Sequence, residues 1–157
     1  MRPPKEFEGH HENDDETFGH RKARRSLRRA LNDKSTIVRT YAVSSLGSFH
    51  DESDVTVIRT RLLKEKRAEV RVALLCALHS LGEEGELLRA LEFLGHPQYR
   101  VRCTTANLIA TLELSKPLKA AVMEKLQQAL SVERTVAGAS SIKGAFRSQR
   151  RRRTVRQ

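Results

Sequence analysis

The chain has 157 residues, 38% of them hydrophobic and 31% charged, with a formal net charge of +11, which fits one lean, helical domain. No apolar run approaches the roughly 18–20 residues of a membrane-spanning helix. MRPPKEFEGHHENDDE lacks an apolar signal core, and two cysteines, Cys76 and Cys103, do not make a disulfide scaffold. The expected location is therefore the cytoplasm, or the nucleus in a eukaryote, with no membrane span and both thiols reduced.

The charge is unevenly divided. Residues 1–17 carry two basic and six acidic side chains, whereas RKARRSLRR at 21–29 and RSQRRRRTVRQ at 147–157 carry six basic side chains each. The stretch 30–146 holds 16 basic and 13 acidic residues and is nearly neutral. Basicity thus belongs to the two ends. Residues 1–14 are expected to be an acidic disordered tail and 147–157 an Arg-rich disordered tail, both polar and without periodicity.

Between the tails the predicted elements alternate. RKARRSLRRAL opens the array with a narrow apolar side of Phe18, Ala23, Leu27, Ala30 and Leu31. A second helix is expected near 35–49, then SDVTVIRTRLLKE, a helix near 68–81, EGELLRALEFLG, a helix near 98–112, PLKAAVMEKLQQAL, and a last helix near 132–146. Polar breaks at Asn32-Asp33, Glu65-Lys66, His96-Pro97 and Ser131 separate the members of each pair. Pro97 and Pro117 suit a helix's first turn, where the missing N–H has no partner to lose. Val70, Leu74, Ala77, Leu78 and Leu81 recur at helical spacing, and Val101, Ala106, Leu108, Ile109 and Leu112 echo them. The last helix carries a thinner stripe of Val132, Val136, Ala139, Ile142 and Phe146.

The second members share a motif. Val38-Arg39, Val70-Arg71 and Val101-Arg102 each open one, and Arg134 makes a degenerate fourth, with spacings of 32, 31 and 32. A period in the low thirties signals stacked helical hairpins. These Val-Arg pairs, with Ser45-Leu46-Gly47 and Ser80-Leu81-Gly82, resemble the HEAT-repeat family in its short-repeat form, over about residues 16 to 146. The resemblance implies an all-α, right-handed α-solenoid of about four antiparallel helix pairs spanning 15–146, with the second helices lining a concave face and a usual role as a binding scaffold. It also implies that the motif arginines pair with acidic groups of the neighbouring turn.

Signals for chemistry are weak. Aligning the second helices puts Thr40, Ser44, Val72, Cys76, His79, Cys103, Asn107 and Thr111 off the apolar stripe and toward the concave side. Cys76, His79 and Cys103 lack the fourth ligand and the spacing that zinc needs, so no metal is expected. The deoxyhypusine hydroxylases are similar in fold but hold iron through several His-Glu pairs, and here the single pair is His11-Glu12 in the tail. The repeat-built DNA glycosylases rely on aromatic residues including Trp, which this chain lacks, and nothing singles out bilin-lyase chemistry. GASSIKG at 138–144 has Ile142 where a nucleophile elbow needs Gly, and no phosphate loop occurs.

The expectation is a non-catalytic scaffold without cofactor or small-molecule substrate. It binds another protein, most readily an acidic surface, through Thr40, Ser44, Cys76, His79, Asn107 and Thr111. The basic ends, Arg21, Arg24, Arg25, Arg28, Arg29 and Arg150, Arg151, Arg152 and Arg153, reinforce attachment. One alternative is sequence-independent contact of those ends with nucleic-acid phosphates. Another is an immunity protein against a bacterial toxin.

Overall fold

The structure, a computed structural model, describes residues 12–152. Among them are eight α-helices and no strand: α1 Glu12–Ala30, α2 Thr36–Ser48, α3 Val55–Lys64, α4 Ala68–Ser80, α5 Gly85–Leu91, α6 Tyr99–Ile109, α7 Lys116–Val132 and α8 Val136–Arg151. One-turn 3-10 segments lead into α3 at Glu52–Asp54 and extend α5 at Glu92–Gly95.

The even-numbered helices pack in a row, α2 on α4, α4 on α6 and α6 on α8. The odd-numbered helices lie against them: α1 on α2, α3 and α5 on α4, and α7 on α8. The apolar stripe read from α4 is fully buried, including Val70, Leu74 and Leu78, none of which exposes any surface. Val101, Ala106 and Ile109 of α6 join the same core, as do Ile58 of α3, Leu87 of α5 and Val122 and Leu126 of α7. α2 and α4 come especially close at Gly47, where an added Cβ would lie 3.1 Å from both Cα and Cβ of Ala77.

The lead-ins to the even helices use one device four times. The N-caps are Ser35, Arg67, Gln98 and Thr135. In each case the side chain two residues upstream accepts the cap's backbone N–H: Asp33 from Ser35 at 2.7 Å, Glu65 from Arg67 at 3.0 Å, His96 Nδ1 from Gln98 at 3.1 Å and Glu133 from Thr135 at 2.8 Å. These side chains satisfy donors that a helix start leaves orphaned. Pro97 therefore stands just before the cap of α6, not in its first turn. Pro117 does sit in the first turn of α7.

This device fixes the repeat register, and the register corrects two sequence equivalences. Arg39, Arg71 and Arg102 each lie four residues after a cap, but the fourth such position is Ala139. Arg134 lies in the loop before α8, because the long helix α7 stretches the last cap-to-cap interval to 37 residues. Gly47 and Gly82 are likewise not equivalent. Gly47 is the close-approach point inside α2, whereas Gly82, at φ 98°, ends α4. There the Gly82 N–H bonds to the His79 carbonyl and the Glu83 N–H to that of Leu78, a Schellman closure that favours glycine. The residue matching Gly82 at the end of α2 is His50, which adopts φ 51°.

The ends also run differently from expectation. α1 already begins at Glu12, inside the expected tail. α8 continues five residues past 146 because its C-terminal turns cap α6: Gln149, 1% exposed, donates to the Ile109 and Leu112 carbonyls at 2.6 and 3.0 Å, and Ser148 to Ala110 at 2.8 Å. The buried stripe of α8 is Gly138, Ile142, Ala145 and Gln149, while Val132 and Val136 are 75% and 89% exposed. Glycine, serine and arginine in this segment hid a docking face that works through hydrogen bonds as much as apolar area.

Candidate functional site

The motif arginines are structural. Arg39, 8% exposed, grips Glu65 with Nε and Nη2 at 2.9 and 3.2 Å and donates Nη1 to the Asp33 and Lys34 carbonyls. Arg102 does the same with Glu133 at 2.6 and 2.7 Å and with the His96 and Pro97 carbonyls. Each such arginine therefore ties its own lead-in to the carboxylate of the next. Arg71 bonds the Leu62 and Glu65 carbonyls, but the next lead-in offers His96 where the others offer glutamate, and the carboxylate grip is missing. The Arg102 fork holds the Glu133 carboxyl down at about 2. Burial pushes the Glu65 carboxyl up, yet the Arg67 amide and the Arg39 guanidinium outweigh it and leave it below its ordinary value.

Two of the expected end-binding arginines are also committed to the fold. Arg24 and Arg28 converge on Asp54, which is fully buried, at 2.9 and 2.5 Å, and Arg24 also pairs with Asp51. Both guanidiniums reach Ser53 as well. They thus clamp α1 to the start of α3, since a buried carboxylate is stable only with close partners. Arg21, Arg25 and Arg29 point to solvent on α1, as do Arg150 and Arg151 on α8. Arg152 donates to the Ala110 carbonyl while its own carbonyl accepts from Lys119. A shallow hollow of about 590 Å³ is lined by Gly144, Arg147, Ser148, Arg151 and Arg152. Arg153 lies outside the described residues.

A recess of about 610 Å³ opens at the C-terminal ends of α2, α4 and α6. Its floor is α4, and it includes Ser44, Cys76, His79 and Thr111 from the sequence-derived set. Thr40 and Asn107 are not part of it. The half-exposed Thr40 turns its hydroxyl back to the Thr36 carbonyl, and Asn107 is exposed on α6. Val72 is a correction: it is completely buried, because α4 is flanked by α2 and α6 and backed by α3 and α5, so sideways positions are covered too. Cys76 is likewise enclosed, at 3% exposure, and burial pushes its thiol up to about 12.

Three features of this recess were not read from the sequence. Ser115, at the start of α7, belongs to the lining, as do Glu84 and Glu113. His79 Nδ1 and Ser115 Oγ are buried and have no hydrogen-bond partner among the described residues. Burial lowers the basicity of His79, against the opposing influence of the Glu113 backbone and the Glu84 charge, so the ring is neutral at pH 7. Sequence spacing alone had no access to Ser115, which reaches the site from the following outer helix.

No group of three or more His, Cys, Asp or Glu side chains among the described residues is arranged to hold a metal ion, and none of the described helices is long and apolar enough to cross a membrane. No family model, curated protein or solved structure matches the chain.

Proposed function

We propose that the chain is a short α-solenoid of HEAT-like hairpins that serves as a non-catalytic binding scaffold, engaging a protein partner across the face built by α2, α4 and α6. The observation carrying this reading is the recess at the ends of those helices, with two buried polar atoms, His79 Nδ1 and Ser115 Oγ, left without partners inside it. Buried polar groups are paired in the great majority of cases, so two unpaired groups on residues that line one recess are what a ligand-completed site would leave. The cap-by-cap register and the row of even helices support the solenoid, since α2 packs on α4, α4 on α6 and α6 on α8.

A photo-reactive residue placed at Thr111, in the recess, and separately at Leu63, 87% exposed on α3, tests this in cells. The reading expects a discrete protein adduct from position 111 and none from position 63. Equal adduct patterns from both positions would contradict it.

The hollow lined by Arg147, Arg151 and Arg152 favours a second reading, contact of the basic ends with acidic surfaces or nucleic-acid phosphates. Because Arg24 and Arg28 are tied to Asp54, its test neutralises Arg25, Arg29, Arg147 and Arg151. Duplex binding whose salt slope flattens by about 0.9 for each phosphate no longer neutralised supports it. Undetectable binding of the intact chain at low salt removes it.

A further inference from the structure

The recess on α4 has the opposite electrostatic character to the chain as a whole. Its lining contains no lysine or arginine, although the chain carries 30 of them. Glu84 and Glu113 stand in the lining without an ion pair to any described residue, whereas the neighbouring Glu83 is taken up by Arg59 at 2.5 Å. The C-termini of α2, α4 and α6 reach the same opening with the negative ends of their dipoles, and the starts of α5 and α7 meet it at Glu84 and Ser115.

The orphaned atoms sharpen this. The neutral His79 ring has one nitrogen with a proton and one without, and its buried Nδ1 has no partner among the described residues. Ser115 Oγ is likewise buried and unpaired, and Ser115 lines the same recess. Two glutamates without an ion pair, no lysine or arginine in the lining and three helix C-termini make a site for a group rich in N–H donors and positive charge. The basic ends do not cancel this, because salt screens charges beyond about 8 Å at physiological ionic strength while the lining groups act at contact.

We propose that this recess receives an arginine or lysine side chain of the partner polypeptide, its charged head balanced by Glu84 and Glu113 in the lining that also holds the unpaired His79 and Ser115. The inference rests on the scaffold reading above. The partner segment is thus basic at this point, whatever charge meets the exposed arginines of α1 and α8.

The test uses the full chain, isotopically labelled, titrated with three capped tripeptides: Gly-Arg-Gly, its citrulline analogue, which has the same shape without the charge, and Gly-Glu-Gly. The arginine peptide is expected to shift the amides of His79, Ser80, Thr111 and Ser115 in a saturable way. The citrulline peptide is expected to bind at least tenfold more weakly, and the glutamate peptide not at all. The exposed double change Glu84→Gln with Glu113→Gln is expected to weaken the arginine peptide at least tenfold with an unchanged melting temperature, which separates lost attraction from lost folding. If the glutamate or citrulline peptide binds the same amides as well as arginine does, the charge assignment is overturned while the recess stands as a binding site. If no peptide moves those amides, the proposal is overturned, and the adduct at position 111 then decides separately whether the scaffold reading survives.

Discussion

Arg71 and His96 show how much rests on single positions. The other two motif arginines close a bidentate grip on a glutamate of the next lead-in, and His96 occupies that place for Arg71 while keeping the cap hydrogen bond to Gln98. His96→Glu restores both functions at once, since glutamate performs them at positions 65 and 133. It is expected to stabilise the fold by about 0.5–2 kcal/mol, read as a higher urea midpoint at unchanged slope; a lower midpoint would mean that Arg71 is not placed to use a carboxylate. The completed grips also set the acid limit. Glu133 titrates at about 2 in the fold against 4.5 in an unfolded chain, and Glu65 is lowered in the same direction. An unfolded chain therefore binds more protons than the folded one in this window, and stability falls as the pH drops from about 4.5 toward 2. His79 acts earlier and with the same sign: burial holds its folded value below 6.5, so acidification below 6.5 already favours the unfolded, protonated ring. Stability measured from pH 7 to 3 is expected to decline in two stages, and Glu133→Gln is expected to flatten the second.

At the scale of elements, the contact of α2 with α4 is controlled by Gly47. A methyl group there meets Ala77 backbone and side chain at 3.1 Å, neither of which can swing aside. Gly47→Ala is expected to cost about 1–3 kcal/mol as overpacking. Gly85→Ala at the start of α5, with open space around it, is expected to be neutral or slightly stabilising. Equal denaturant midpoints for the two variants would contradict the close packing of α2 on α4. The helices themselves were legible in the sequence, because i, i+4, i+7 stripes such as Val70, Leu74 and Ala77 bury one face and polar breaks end each run. Less legible was everything that depends on register between helices. Glycine at 47 and glycine at 82 look alike in the sequence, yet one answers to a neighbouring helix and the other to a left-handed turn. Val72 and Cys76 read as an open face because a stripe predicts one buried side, whereas a central helix is covered on several. Arg24 and Arg28 looked like solvent-facing charge because their partner, Asp54, lies 30 and 26 residues away.

For the molecule as a whole, the proposed solenoid makes stability a sum over neighbouring pairs, with α4 holding the most neighbours and the ends the fewest. The recess floor is then the most rigid part of the chain, and ligand recognition there needs little rearrangement. Charge follows a complementary plan, with an acceptor-rich centre between two basic ends. The account depends first on this stacking order, and native-state hydrogen exchange of the full chain tests it most directly. Amides of α4 are expected to exchange slowest, those of α2 and α6 next, and those of α1 and the last turn of α8 fastest, because outer pairs can open while inner ones remain closed. A single protection level shared by α1, α4 and α8 would instead indicate one all-or-none core and would contradict the stacked arrangement.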